Sequence, residues 1–352
     1  MGLFRKGARA DRSVGHAPIA GIDALLADLD GVVYAGAAAL PHAVDSLNRA
    51  SADGIRLGYI TNNASRTDAS VAAHLRELGL GATTPHDVVT SPQAAMRLLR
   101  ERIAPGATVL VVGGDGLVVE VEKAGFVVTR SADESPAAVV QGFAPEVGWK
   151  DLAEAAFALA VPEDEGGIPW IATNTDWTIP QGRGIAPGNG TLVSAVHTAV
   201  GRLATVAGKP ETPIFHEAVA RFDAQSPLFL GDRLDTDIAG AQAAGIPSAL
   251  VLTGIDRPKH VLAAPANSRP TYILEDLRDL FEPYPNTVVD GDVTRVREAA
   301  VRIDGPDLKL VSAGSRPIDI VRAASAAVWA SGRAIFGFQV DEALYADPFR
   351  RP

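Results

Sequence analysis

Short apolar runs separated by amphipathic stretches set the rhythm of this chain. Ile22 to Ala27, Ile55 to Ile60 and Pro227 to Leu230 are blocks of strand length, and their near-continuous hydrophobicity suits strands covered on both faces, as in a parallel sheet. Between them the spacing becomes helical. Val71, Leu75 and Leu78 recur at three- and four-residue intervals, and Gly79 follows as a stop. Thr212 and Pro213 open a stretch in which Phe215, Ala218, Val219 and Phe222 share one face. Ile238, Ala241 and Gln242 lead to Gly245 and then to another strand-like run, Ser248 to Leu252. Strand and helix alternate, which predicts an α/β fold with a parallel sheet.

Each of the first three blocks ends in a polar cluster. The first runs into Asp28-Leu29-Asp30-Gly31-Val32-Val33-Tyr34, the second into Thr61-Asn62-Asn63, the third into Gly231-Asp232-Arg233-Leu234-Asp235-Thr236-Asp237. In open parallel sheets, ligands bind beyond the carboxyl ends of the strands, so Asp28, Thr61 and Asp232 are candidates for one site. If the backbone stays extended, Asp28 and Asp30 face the same volume. Two carboxylates that close are tenable when a cation binds or when one acid keeps its proton, and both remedies suit chemistry on an anion. Each segment also has a plainer reading. Asp28 and Asp30 suit a turn, Thr61 to Ser65 suits a turn before a helix cap, the acids of 232–237 suit a solvated helix start, and Lys209 alone is an ordinary lysine.

The four clusters Asp28 to Tyr34, Thr61 to Asn63, Gly208-Lys209-Pro210 and Gly231 to Asp237 resemble, in order, the four motifs of the haloacid dehalogenase superfamily. The long insertion between the second and third, with Ala172-Thr173-Asn174-Thr175-Asp176 and Pro187-Gly188-Asn189-Gly190, is similar to the large α/β cap of subclass IIA phosphatases. The resemblance implies a Rossmann-like parallel-sheet hydrolase core and hydrolysis of a small phosphorylated metabolite through an aspartyl-phosphate. It gives Asp28 the role of nucleophile and Asp30 that of general acid and base. Mg2+ would be held by the Asp28 and Asp232 side chains and the Asp30 carbonyl, with Asp237 behind them. Lys209, Thr61, Asn62 and Asn63 would bind phosphate, and Asn174, Asp176 and Arg183 would face the substrate from the cap, although a plain turn fits Arg183 equally well. Arg233 and Asp235 read as structural.

Domain organisation is read from the insertion and the tail. Strand-like runs at Val109 to Val112, Phe126 to Val128, Ala138 to Val140 and Trp170 to Thr173, with a helical stretch from Trp149 to Leu159, are enough for a small α/β domain. Gly113-Gly114-Asp115-Gly116 lacks the full dinucleotide fingerprint, and Lys209 is followed by Pro210 instead of Ser or Thr, so nucleotide loops are not supported. Pro283-Tyr284-Pro285 reads as a linker. Beyond it come a strand at Leu308 to Val311, a helix begun by Pro317 with Ile318, Val321, Ser325 and Val328 along one side, and a last strand within Ala334 to Val340. The expected division is a catalytic core at 18–103 and 204–285, a cap at 104–203 and a small C-terminal α/β appendage at 286–352. Such a tail resembles the acetyltransferase-like fragment carried by bacterial glycerol 3-phosphate phosphatases of this subclass. It has no glycine-arginine loop for coenzyme A, so acetyl transfer is not expected. Glycerol 3-phosphate is therefore the leading substrate by resemblance, with 2-phosphoglycolate, nucleotides and pyridoxal phosphate as alternatives, and a phosphotransferase or a non-catalytic sensor as rivals.

Composition narrows the classes further. With 352 residues, 47% hydrophobic and 21% charged, the chain is globular and long enough for more than one domain. A net charge of −10 disfavours a nucleic-acid partner, so an anionic substrate must meet a local positive patch. No cysteine is present, which removes disulfides, thiolate zinc and cysteine nucleophiles. Arg5, Lys6 and Arg9 near the start are not followed by the apolar core of a signal peptide, and no apolar run is long enough to span a membrane. A cytoplasmic enzyme is expected, and a homo-oligomer is compatible with it.

Overall fold

Strand Ala24–Ala27 lies parallel to Pro227–Gly231, with Ala24 opposite Pro227 and Ala27 opposite Leu230. In this computed structural model, which describes residues 15–181 and 183–349, the sheet continues through Ser248–Val251 to Tyr272–Leu274, all parallel. Their side chains are almost wholly buried, as expected for apolar strands covered on both faces. The basic residues Arg5, Lys6 and Arg9 lie outside the described residues.

The chain forms two compact units, Met1–Leu57 with Gln225–Pro352, and Gly58–Ala224. It passes from one to the other inside strand Arg56–Thr61 and again after Ala224. The first unit holds the four strands just described and the helix Ala43–Ala52. It also contains the whole C-terminal segment. There the strands Thr287–Asp290, Val293–Val296, Ala299–Asp304 and Asp307–Ser312 form an antiparallel meander, and Gln339–Val340 adds to Asp307–Ser312 in parallel.

The sequence pattern missed the first three of these strands. Thr287–Asp290 is exposed throughout and the others bury small or interrupted faces, so no clean alternation marks them. The turn chemistry is nevertheless present. Asp290-Gly291 and Asp304-Gly305 place glycines at φ +61° and +58°, and Asp-Gly is a strong hairpin signal. The helix Pro317–Ser331 matches its predicted start and buries Ile318, Val321, Ser325 and Val328, ending at Gly332 with φ +66°. The last strand is shorter than the stretch from Ala334 to Val340, because Ile335–Gly337 is a single 3-10 turn.

The expected linker is tied down. The Tyr284 hydroxyl accepts the Ile273 N–H at 3.0 Å, its N–H donates to the His16 carbonyl at 3.0 Å, and its ring meets Tyr272 edge-on with centroids 4.9 Å apart. Burial pushes its phenol above the ordinary value, against the pull of Arg322.

The second unit contains a five-stranded parallel sheet in the order Thr205–Val206, Trp170–Ala172, Ala138–Gln141, Thr108–Val112, Val127–Thr129. Helices Trp149–Ala158 and Asn189–Val200 cover one face over Leu110, Val112, Val139, Trp170 and Ala172. Four of these strands fall within the insertion, and the edge strand Thr205–Val206 lies just beyond the expected boundary at residue 203. The same unit holds the parallel pairing of Tyr59, Ile60 and Thr61 with Val88, Val89 and Thr90, with helices Asp68–Glu77, Ser91–Arg102 and Pro213–Arg221.

Candidate active site

In the first unit, strand register brings acids together. Because Ala27 sits opposite Leu230, the next residue, Asp28, donates its N–H to the Leu230 carbonyl at 2.9 Å and lies beside the run Gly231-Asp232. Carboxylate oxygens of Asp28, Asp232 and Asp237 lie within 4.8 Å of one another. Asp237 reaches this position from a π-helical turn, Leu234–Ile238, and wide turns of this kind recur at functional sites. Its Oδ2 accepts the N–H groups of Asp232 and Arg233 at 3.1 and 3.2 Å. Asp237 thereby braces the strand end that carries Asp232.

Asp232 is 1% exposed, and its carboxylate occupies space that side chains would otherwise fill. A Cβ on Gly31 would stand 2.3 Å from its Oδ2, and one on Gly254 would stand 2.0 Å away. Gly31 also has φ +84°, so glycine is required there on two counts. The Ile255 N–H donates to the same Oδ2 at 2.6 Å, and the Thr253 hydroxyl donates to the Gly31 carbonyl at 2.7 Å. Two like charges about 4 Å apart near a protein surface repel by about 4 kcal/mol, and burial makes solvation a poor remedy. Three acids so placed call for a cation. The donors are hard carboxylate oxygens, the set magnesium takes, so these residues fit the metal that the motifs imply.

Asp30 behaves differently from Asp28. The strand ends at Ala27, the chain folds over so that Val33 and Tyr34 donate to the Leu29 carbonyl at 2.8 and 3.1 Å, and Asp30 is exposed. The two acids are therefore set by a tight turn and not by a continued extended strand. Beside the cluster, burial would raise Asp235, but the Arg233 fork at 3.0 and 2.8 Å and backbone donors hold it below the usual carboxylate range. Asp256 shifts the other way, pushed up by burial, although its Oδ2 accepts the Leu234 N–H at 2.5 Å.

In the second unit, Asn62 is the hub. Its side-chain oxygen accepts the Lys209 N–H at 2.8 Å, and its amide donates to the Lys209 carbonyl at 3.0 Å and to Asp176 at 3.2 Å. Its own carbonyl accepts from Ser91 Oγ and from the Asn174 amide, both at 2.8 Å. Lys209 is only 4% exposed, and Gly208 before it passes so close that a Cβ would lie 2.5 Å from the Thr173 carbonyl. Thr61 is buried at the strand end, where its hydroxyl accepts the Asn63 N–H at 3.1 Å.

The loop with Asn174 and Asp176 rests on the start of helix Asn189–Val200. Asn189 donates to the Asn174 carbonyl at 2.6 Å, and Cβ atoms on Gly188 or Gly190 would lie 2.2 and 2.3 Å from the Asp176 and Thr175 carbonyls.

Of the residues singled out in the sequence, Asp28, Asp232 and Asp237 converge in one unit, and Asn62, Asn174, Asp176 and Lys209 in the other. Asn63 is engaged within its own loop, accepting from the Ser65 N–H and hydroxyl at 2.8 and 2.7 Å. Arg183 sits in the exposed turn of the hairpin Thr178–Gln181 and Gly184–Pro187. Gly254, Ile255, Ser91 and Asn189 were not read as site residues. Only Asn189 carried a signal, the glycines on either side of it.

The chain is similar to several known proteins. A family model described as haloacid dehalogenase-like hydrolase matches residues 25–127, and a second, described as HAD-hydrolase-like, matches residues 206–280. A D-glycerol 3-phosphate phosphatase of Mycobacterium tuberculosis is 45% identical over 341 residues, covering 94% of this chain and 89% of its own. A glycerol-3-phosphate phosphatase of Gallus gallus is 35% identical, covering 79% and 96%. The crystal structure of the glycerol phosphate phosphatase of Mycobacterium tuberculosis in complex with magnesium is similar with a TM-score of 0.82 at 40% identity, covering 92% of this chain and 94% of that one.

Proposed function

Since the chain belongs to the haloacid dehalogenase-like hydrolases, we propose that it is a magnesium-dependent phosphatase that cleaves glycerol 3-phosphate to glycerol and phosphate. The observation that carries the reading is the convergence of Asp28, Asp232 and Asp237 carboxylates within 4.8 Å. The activity for which its relatives are named supplies the substrate.

In this reading an Asp28 carboxylate oxygen attacks phosphorus, the bond to the glycerol oxygen breaks, and the departing alkoxide takes the proton of Asp30. Asp30, now a carboxylate, removes a proton from water, and the resulting hydroxide attacks the aspartyl-phosphate. Phosphate leaves and Asp28 is regenerated, so one difficult displacement becomes two. Magnesium, held by Asp28, Asp232 and the Asp30 carbonyl with Asp237 in support, neutralises charge on the phosphoryl oxygens. Lys209 contributes a positive charge toward phosphate, Thr61 and the Asn62 N–H contribute hydrogen bonds, and Asn62 holds the Lys209 backbone from both sides. Asn174, Asp176 and Arg183 belong to the substrate side of the proposal. The division into core, cap at 104–203 and appendage is part of it too, supported by the four strands of a separate sheet that lie between Thr108 and Ala172. No helix among the described residues is long and apolar enough to cross a membrane. A charged metabolite is held inside the cell by its membrane, so a cytoplasmic setting completes the proposal.

The test is phosphate release from glycerol 3-phosphate. Release is expected with Mg2+, stopped by chelation, and reduced at least about 1,000-fold by Asp28→Asn, the scale of losing a covalent nucleophile. Near wild-type turnover by that variant removes the nucleophile. A higher kcat/KM on 2-phosphoglycolate moves the substrate to the alternative.

A further inference from the structure

We infer that the C-terminal appendage is a positioning element for the acidic cluster, acting through Trp329, Asp347 and the apolar face of helix Pro317–Ser331. The inference rests on the magnesium site proposed above and goes beyond the family motifs, which end before this segment begins.

The loop Gly254-Ile255-Asp256 sets the Asp232 carboxylate. It supplies the Ile255 N–H at 2.6 Å, the closely packed Gly254 backbone, and Asp256, whose N–H donates to the Asp232 carbonyl at 3.1 Å and whose carboxylate accepts the Leu234 N–H. Such a loop is only as well placed as the segment into which it runs. Here that segment is Arg257 and the five-residue helix Pro258–Leu262, too short to hold a position by its own hydrogen bonds.

The appendage supplies the missing support. Trp329 Nε1 donates to the Val261 carbonyl at 3.2 Å, and Arg257 faces Asp347 at 3.6 Å. Val261 and Leu262 share an apolar cluster with Ile318, Val321, Ala324, Ala327, Val328 and Leu344 of the appendage. The same cluster takes in Leu234 and Ile238, the two ends of the π-helical turn that carries Asp237. Appendage side chains thus pack directly against the helix into which the Gly254 loop runs, and belong to the same apolar cluster as the turn that carries Asp237. On its other side the appendage is locked to the body of the unit. Arg322 donates from Nε and Nη2 to the Ile273 carbonyl at 2.9 and 2.7 Å, and pairs with Asp279 and Asp319 at 3.0 and 2.9 Å.

Carboxylates that must hold magnesium in near-octahedral geometry tolerate little displacement. Loosening the support should therefore lower metal affinity before it lowers the rate of the loaded enzyme.

The experiment uses the full chain carrying both Trp329→Phe, which keeps an aromatic ring and removes the donor, and Asp347→Asn. Mg2+ alone is titrated by calorimetry, and thermal midpoints are recorded in its absence. Asp23→Ala, which removes the acceptor of the Gln225 and Ser226 N–H groups at the start of strand Ala24–Ala27, away from the appendage, serves as the control for general destabilisation. The double variant is expected to bind Mg2+ three- to tenfold more weakly and to recover wild-type kcat at saturating Mg2+. Asp23→Ala is expected to lower the thermal midpoint and leave the Mg2+ dissociation constant within twofold. An unchanged dissociation constant in the double variant, or an equal shift in Asp23→Ala, overturns the positioning role. Failure of the wild-type chain to bind Mg2+ would instead strike the metal site itself.

Discussion

Asp28 and Asp30 are separated by one residue yet occupy different surroundings. Asp28 is half-buried among carboxylates, whereas Asp30 is exposed in a tight turn. Proximity to other anions suits a group that works ionised beside a cation, and exposure suits one that must exchange protons with a leaving group and with water. The assignment of Asp30 as acid leads to a leaving-group test. An alkoxide needs protonation as it departs, and p-nitrophenolate does not. Asp30→Asn is therefore expected to lose about 100-fold or more in kcat on glycerol 3-phosphate, with a markedly smaller loss in the initial burst of p-nitrophenol from the aryl ester. Equal losses on both esters would deny Asp30 the role of acid. At this scale much was legible in the sequence: both acids, Asp232 and Lys209 stand in motif order. The rotation that sends Asp28 to the cluster and Asp30 to solvent was not, because it depends on Gly31 at φ +84° meeting Asp232, a residue remote in the chain.

Among elements, the loops matter more than the strands that carry them. The run Thr61-Asn62-Asn63 reads as a phosphate-binding turn, but in the fold Asn62 gives its side chain to Lys209 and Asp176 and its carbonyl to Asn174 and Ser91. It holds together one strand end, the loop of the third motif and the loop after Trp170–Ala172. Asn62→Ala leaves the Lys209 N–H without its acceptor in a buried place, a loss of about 1–3 kcal/mol. We expect a lower thermal midpoint, and a rise in KM larger than the fall in kcat, measured by steady-state kinetics on the phosphate ester. A fall confined to kcat would contradict a binding role for the network. The hairpins after Thr287 teach the reverse lesson. Their Asp-Gly turns were visible in the sequence, whereas strand faces as exposed as Thr287–Asp290 gave no alternation to read.

For the whole molecule, the segment after Pro285 changes character. By composition it is a tail beyond a proline-rich joint. In the fold it contributes to one apolar cluster with Leu250 and Ile273 of the parallel sheet, and it inserts a buried guanidinium. Arg322 is 5% exposed, and Arg316 and Arg297 join it on Asp279 and Asp319 at 2.6 and 2.9 Å. Removing one partner from such a network strands the others in a poor solvent, at about 3–5 kcal/mol. Arg322→Leu is accordingly expected to destabilise the first unit by about 3 kcal/mol, read as a shift of the urea midpoint at constant slope. A loss below about 1 kcal/mol would mean that the remaining arginines satisfy both acids.

What the sequence determined by itself is the chemistry and its carriers: alternating strands and helices, polar clusters at strand ends, and acids, threonine and lysine in an order that implies phosphoryl transfer. These are local properties, set by hydrophobic period, turn propensity and residue type, and they survive being read one segment at a time. Only the tertiary structure decided which acids meet, how Gly31 and Gly254 make room for Asp232, that Asn62 clasps Lys209, and that the last segment packs against the helix following the Gly254 loop. Those outcomes come from strand register and close packing between residues remote in the chain, where a small shift exchanges a contact for a clash.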